Sequence, residues 1–401
     1  MATDEVPALQ LTGYRRQVMI GALGIIQILA WGSSYYLPAV LAGPIATDTG
    51  WPLPWIVGSL SAGLLVAGLI SPRVGRLIGE HGGRPVLAGA ALLIALGLVL
   101  LGIAPSLPVF VVGWLVLGAG MGAGLYDAAF ATLGRQFGAA ARPAITNLTL
   151  WGGFASTVCW PFSAWLVSQA GWRGACFTYA AIHVAVTLPL VLLLIPRPPA
   201  RLIEYKAGSG AITMTAVERR QMWLFGGIQT LGGIITAAIA IHLLTLLQAN
   251  GLTLAAAVSL GVLMGPSQVG ARLVEMAAGG RHHPLWTLTG AVILTALGLV
   301  LMWVGFPYLA ATVILYGAGN GIASIAKGTV PLALFGPDRY APIVGLVARP
   351  SLIAQALAPS MIALLIVQMS GTAAIGALCL LAVTNIALVV ALWRARASGY
   401  S

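Results

Sequence analysis

Charge is what this chain has least of. Only 7% of its 401 residues are charged, with nine Asp and Glu against twenty Lys and Arg. A soluble chain carries about 25%, so a water-facing surface of ordinary size is excluded. The 59% hydrophobic content and the mean hydropathy of +0.97 point to a bilayer instead. Cysteine is nearly absent too. Cys159, Cys176 and Cys379 stand alone in apolar runs, which leaves neither a disulfide framework nor a Cys-based metal centre. There is no Ser-His-Asp set at usable depth, no metal-ligand cluster and no phosphate loop, which argues against an enzyme, a cofactor or ATP as the energy source. No nucleic-acid motif accompanies the net charge of +11. The first apolar run is too long for the core of a cleavable signal.

What is present is apolar and continuous. The runs do not alternate with period two, so they read as helices, not as a membrane barrel. Twelve candidate spans result: 17–43, 54–78, 85–104, 108–135, 143–169, 173–195, 221–249, 252–279, 284–304, 308–335, 341–368 and 372–395. The one long polar segment, 196–220, separates a first half (1–195) from a second (221–401). The expectation is an all-α membrane protein with two pseudo-symmetric six-helix halves.

Basic residues cluster on alternate loops. Arg15, Arg16, Arg73, Arg76, Arg84, Arg135, Arg142, Arg281, Arg339, Arg394 and Arg396 fall on one side, whereas the other offers little beyond Asp48 and Arg173. The positive-inside rule then puts both termini and the central segment in the cytoplasm. The halves repeat each other as well. Leu117-Gly-Ala-Gly-Met-Gly122 matches Tyr316-Gly-Ala-Gly-Asn-Gly321 at an offset of 199, and Pro161 matches Pro359 at 198. Gly75-Arg-Leu-Ile-Gly79 before Gly82-Gly83-Arg84 matches Ala271-Arg-Leu-Val-Glu275 before Gly279-Gly280-Arg281. Such internal repeats place a binding site near the midplane between halves.

Five ionisable side chains fall inside spans: Asp127, Arg272, Glu275, Lys327 and Arg349. Counted from the nearest loop charges, Asp127, Arg272, Lys327 and Arg349 lie roughly 12–16 Å deep, near the middle of a core about 30 Å thick. Three cations face two acids. If all five line one chamber, a positive charge is left over, and an unpaired buried charge is costly; an anionic guest would complete it. Gln268, Arg272 and Glu275 share one helix face, and Arg272 reads as the anion anchor. Lys327 shares a stripe with Asn320 and Ser324. Gln27, Trp31, Ser34 and Tyr35 share a face of span one and could wall a small-molecule site. Each has a duller alternative: Asp127 as a structural partner of Lys327 or Arg349, Glu275 as a partner of Arg272 or a gate, Arg349 before Pro350 as a hinge, and His242 as a structural histidine instead of a pH-sensitive gate.

Twelve spans, the central segment and the 2–3 loop Gly75-Arg-Leu-Ile-Gly-Glu-His-Gly-Gly-Arg84 resemble the major facilitator superfamily over the whole chain. The usual acid of that loop is replaced by Gly79, with Glu80 beside it, so the gating relay involving Arg76 and Glu80 departs from the pattern. His242-Leu-Leu-Thr-Leu-Leu-Gln-Ala-Asn-Gly251, Gln268-Val-Gly-Ala-Arg272 and Trp160-Pro-Phe-Ser-Ala-Trp165 before Gly171-Trp-Arg173 resemble the bacterial monocarboxylate and oxalate/formate-type branch. That likeness implies an arginine in span eight, here Arg272, on the substrate carboxylate. Gln268 stands where an acid often lies one turn earlier.

These features together predict a secondary transporter of a small organic anion in a bacterial inner membrane. It would work as a monomer by alternating access, by proton coupling or exchange, with Asp127 or Glu275 changing protonation or partner. Its partners are the substrate, protons and lipid, with no nucleic acid and no cofactor. Export of lipophilic drugs is the alternative. A metal importer is disfavoured because ten Met and five His do not cluster. A non-transporting sensor would need a soluble domain.

Overall fold

The computed structural model describes residues 13–197, 214–278 and 281–397. These residues are almost entirely helical and include no strand. Most of the polar segment expected at 196–220 lies outside them. The hydrocarbon core needs about 20 helical residues per crossing. Two of the seven helices apolar enough to cross, Leu107–Leu194 and Leu309–Gln368, are far too long for one passage. Gly171 and Gly336 divide them, at φ 68° and 72°, in the left-handed region that only glycine enters without strain. A third turn, at Gly138 with φ 54°, divides the first of them again, so that with spans one and eight the described residues make twelve passages.

Span one is Gly13–Gly32 followed, after a turn, by Pro38–Thr49. Span two is Leu53–His81, and span three is Gly83–Ile103. Span four breaks at Leu125 between Leu107–Gly124 and Tyr126–Phe137. Arg142–Gly153 opens span five, which continues to 170; span six occupies 172–194. Span seven is Ala216–Ala249. Span eight is interrupted, Leu254–Gly261 then Met264–Ala277. Spans nine to twelve are Pro284–Trp303, 309–335, 337–368 and Gly371–Ala397. The breaks in spans one, four and eight were not foreseen, since an apolar run carries no mark of a lost backbone bond.

The glycine repeat explains how each half packs. A Cβ on Gly118 would strike Gly63, and one on Gly122 would meet Ala67, so span four lies hard against span two; Gly120 faces Ile94 of span three. Span ten copies this. Gly317 faces Ser267 and Gly321 faces Gln268 of span eight, while Gly319 faces Thr295 of span nine. Small residues allow the helix backbones to approach this closely.

The halves meet unevenly. Toward the face where the described residues begin and end, at Gly13 and Ala397 (the terminus-bearing face), Ser71 Oγ donates to Gly345 O at 2.9 Å, and Gly75 lies against Ala341 and Gly345. Tyr340 is fully buried against Gly134 of span four, in a core shared by spans one to six and ten to eleven. Toward the opposite face, the core around Ile235, Leu299 and Leu378 holds residues of the second half only. The matching core of the first half takes in just Leu352 and Ala356 from the second.

Candidate functional site

Span eight carries Arg272 into the contact between the halves. Its side chain is 5% exposed. Nε donates to Gly321 O of span ten and Nη1 to Thr149 O of span five, both at 3.0 Å. A Cβ on Gly153 would collide with Nη1, so that glycine leaves room for the guanidinium. Among the described residues no carboxylate pairs with Arg272 and nothing accepts from Nη2. Its positive charge is therefore oriented by two carbonyl dipoles and neutralised by none.

Around it lies an aromatic chain from three spans. Trp31 sits 5.3 Å from Tyr35, 5.9 Å from Tyr36 and 5.2 Å from Tyr126, and Tyr36 is 6.1 Å from Trp160. Tyr36 and Tyr126 stand within the field of Arg272. Tyr126 OH donates at 3.3 Å to Thr149 O, the carbonyl that also holds Arg272. The hydroxyls of Tyr35 and Tyr36 have no partner among the described residues. These rings are partly exposed, unlike the fully buried Tyr179 and Tyr340.

The break in span four builds the wall opposite. Ending one helix at Gly124 leaves its carbonyl unpaired, and Gln27 Nε2 donates to it at 2.7 Å; Gln27 Oε1 in turn accepts from Trp31 Nε1 at 3.2 Å. Gln27 is 0% exposed, so its amide braces Trp31 and the break instead of facing a guest. The new helix starts with Tyr126 and Asp127, and its N-terminus favours a negative charge there.

Asp127 meets Lys327 of span ten. The ammonium donates to Oδ2 at 2.9 Å and lies 2.8 Å from Oδ1, off the direction of a hydrogen bond. Asn320, on the same stripe, accepts from Thr236 Oγ1 at 3.0 Å. Gln268 makes no side-chain hydrogen bond among the described residues.

The five charges that the sequence sets inside spans do not share one chamber. Glu275 turns away from Arg272: Thr287 Oγ1 donates to it at 2.6 Å, with His282 Nε2 at 3.2 Å and Arg142 Nη2 at 3.8 Å. Arg142 Nη1 donates to His282 O at 2.5 Å, completing a bridge from span five to the 8–9 loop. Arg349 is exposed, without a hydrogen bond or ion pair among the described residues. Arg76 and Glu80 are exposed on the terminus-bearing face, where Glu80 lies 3.8 Å from His81. His242 Nε2 donates to Pro359 O at 2.9 Å, tying span seven to span eleven. Tyr36, Tyr126, Trp160 and Thr149 escaped the reading by sequence, as did Arg142 and His282. The first four sit in helices whose inward face periodicity does not single out, and Arg142 and His282 read as loop charges.

The Major Facilitator Superfamily family model matches residues 23–281. This chain belongs to that superfamily. Transporter structures share its fold. The human organic anion transporter MFSD10 (TETRAN) is 16% identical with TM-score 0.71, over 94% of this chain and 100% of that one. FucP in the outward conformation is 15% identical with TM-score 0.74, over 95% and 99%. The proton:xylose symporter XylE bound to 6-bromo-6-deoxy-D-glucose is 12% identical with TM-score 0.74, over 96% of each. The comparison with curated proteins gives no match. The protein is thus a multi-pass transporter of small molecules, not an enzyme.

Proposed function

We propose that this superfamily member carries a small organic anion, of the monocarboxylate type, by alternating access. Arg272 supports the reading above all: a buried, oriented guanidinium with no carboxylate of its own. A substrate carboxylate would reach Nη2 from the side of Tyr35 and Tyr36, whose hydroxyls are free to donate, while Trp31, Tyr126 and Trp160 offer ring faces to its apolar part. Charge-assisted hydrogen bonds of this kind are about twice as strong as neutral ones. Lys327 and Asp127 bridge the halves one helix away. A proton arriving on Asp127 would release Lys327, which gives a route for proton coupling, and exchange remains the same cycle without it.

The excess of Arg on the terminus-bearing face supports a cytoplasmic side there, in a bacterial inner membrane. The interlocked side is then the inner one, and the state is open outward. Units 1–195 and 221–401 rock about the Arg272 level, with Arg142, Glu275 and His282 as the inner latch. Cationic drugs fit poorly, since among the described residues no free acid faces the site. A neutral sugar, such as the xylose of one structural relative, finds the Gln27 amide already committed.

The test is uptake of labelled mono- and dicarboxylates into liposomes by wild type and Arg272→Ala. Saturable uptake of an acid that the variant loses is the expected result. Transport at equal rates by both, or transport of neutral compounds only, would overturn the assignment.

A further inference from the structure

Arg349 is the anomaly the transport reading leaves unused. It lies thirteen residues past the turn at Gly336, roughly 20 Å along the helix and so near mid-membrane, yet it is exposed. Its place on span eleven shows what it is exposed to. The row formed by Ser71-bound Gly345, Leu352 and Ala356 packs on span two. The row of Leu346, Leu357, Met361 and Leu364, 39–62% exposed, faces outward with large apolar side chains. Helical spacing sets Arg349 between these rows, on the bilayer side of the seam. Across the seam, Gly68 approaches Arg349 O and Ile353. Span two mirrors the arrangement: exposed Leu65 and Leu69 are followed one and two turns later by Arg73 and Arg76, both exposed and without partners among the described residues. Glu80 ends that stripe at the terminus-bearing face, beside His81. Among the described residues, three cations therefore border a leucine-lined seam that holds no acid until its edge.

A helix directs its side chains toward its own N-terminus, and span eleven begins at the terminus-bearing face. That tendency would carry the Arg349 side chain from mid-depth toward the level of Arg73, as snorkelling cations do. We propose that this seam binds the phosphate of an anionic phospholipid from the leaflet on that face, held between Arg349 and Arg73, with an acyl chain along Leu65, Leu69, Leu346 and Leu357. The same seam, where Ser71 and Gly75 lock on Gly345, must part when that face opens. A seated lipid would favour the closed arrangement.

The full chain, reconstituted in phosphatidylcholine nanodiscs with and without phosphatidylglycerol, tests this by native mass spectrometry of retained lipid and by thermal unfolding. Wild type should retain phosphatidylglycerol selectively and unfold at a higher temperature with it. Arg349→Gln and Arg73→Gln should each weaken that preference about fivefold, from about 1 kcal/mol per basic residue at an anionic leaflet, and Arg349→Lys should keep most of it. Unchanged selectivity in both Gln variants overturns the proposal, as does equal stabilisation by inorganic phosphate in pure phosphatidylcholine. Loss of carboxylate uptake by Arg349→Gln in every lipid, with unaltered selectivity, would assign Arg349 to the substrate path instead.

Discussion

Two cations of the second half, the buried Arg272 and the partly buried Lys327, stand on spans eight and ten and are held in opposite ways. Lys327 finds Asp127 across the interface within 2.9 Å, and the pair neutralises itself. Arg272 finds only the carbonyls of Gly321 and Thr149. Carbonyl dipoles satisfy its hydrogens and fix its plane, but they do not cancel its charge. The comparison teaches that counting charges within spans was the wrong unit. What matters is which charges meet, and after Lys327 is paired the surplus within the site resides on Arg272 alone.

The strongest attempt to break this contrast is Arg272→Ala. Truncating one partner of a buried hydrogen-bonded charge pair costs about 2–5 kcal/mol, so kcat/KM for the carboxylate should fall about 100-fold, measured by initial uptake rates. Arg272→Lys should recover little, because an ammonium cannot span both carbonyls as the planar fork does. Lys327→Ala should act on stability instead. It leaves Asp127 without its cation, which costs about 3–5 kcal/mol in a fully buried site and less here, where the side chains are 26% and 16% exposed. The double variant Lys327→Ala with Asp127→Asn should recover most of the lost melting temperature. If it does not, the pair is not self-contained and the contrast fails.

Two smaller effects sharpen the difference between the interlocked and parted faces. Glu275→Gln weakens the bridge to Arg142 and His282, a partly exposed contact worth about 1 kcal/mol. Labelling of a cysteine placed at Ser71 should speed up severalfold, with the site itself unchanged. Last is Glu218, in the turn that enters span seven. The Arg339 guanidinium at 2.5 Å, followed by the Thr215 backbone N–H, holds its carboxyl down at about 2 from an ordinary 4.5. A carboxyl lowered on folding stabilises above its unfolded value and loses that contribution as pH falls toward the folded one. Unfolding temperature should therefore drop between pH 4.5 and 2, and Glu218→Gln should flatten that drop while lowering stability at pH 7.

Much of the architecture was legible because a bilayer imposes length and hydropathy on every crossing. The twelve passages and the repeated glycine motif both follow from local chemistry. Arg272 was legible as well, since an arginine inside an apolar run demands an explanation. Its surroundings were not. Tyr36 and Tyr126 look like any aromatic in an apolar helix until the breaks after Gly32 and Gly124 aim them at one point. Glu275 sits one turn from Arg272 and only about 60° round the helix, yet the nearness of Thr287, His282 and Arg142 takes it to a different task.

By itself, then, the sequence determined a membrane-spanning helical bundle with two related halves and a handful of charges that water could not reach. Only the tertiary structure decided which of those charges cancel. A direct ion pair needs its charged atoms within about 4 Å, and separations of that size between spans four, eight, ten and eleven are set by helix packing, not by spacing along the chain.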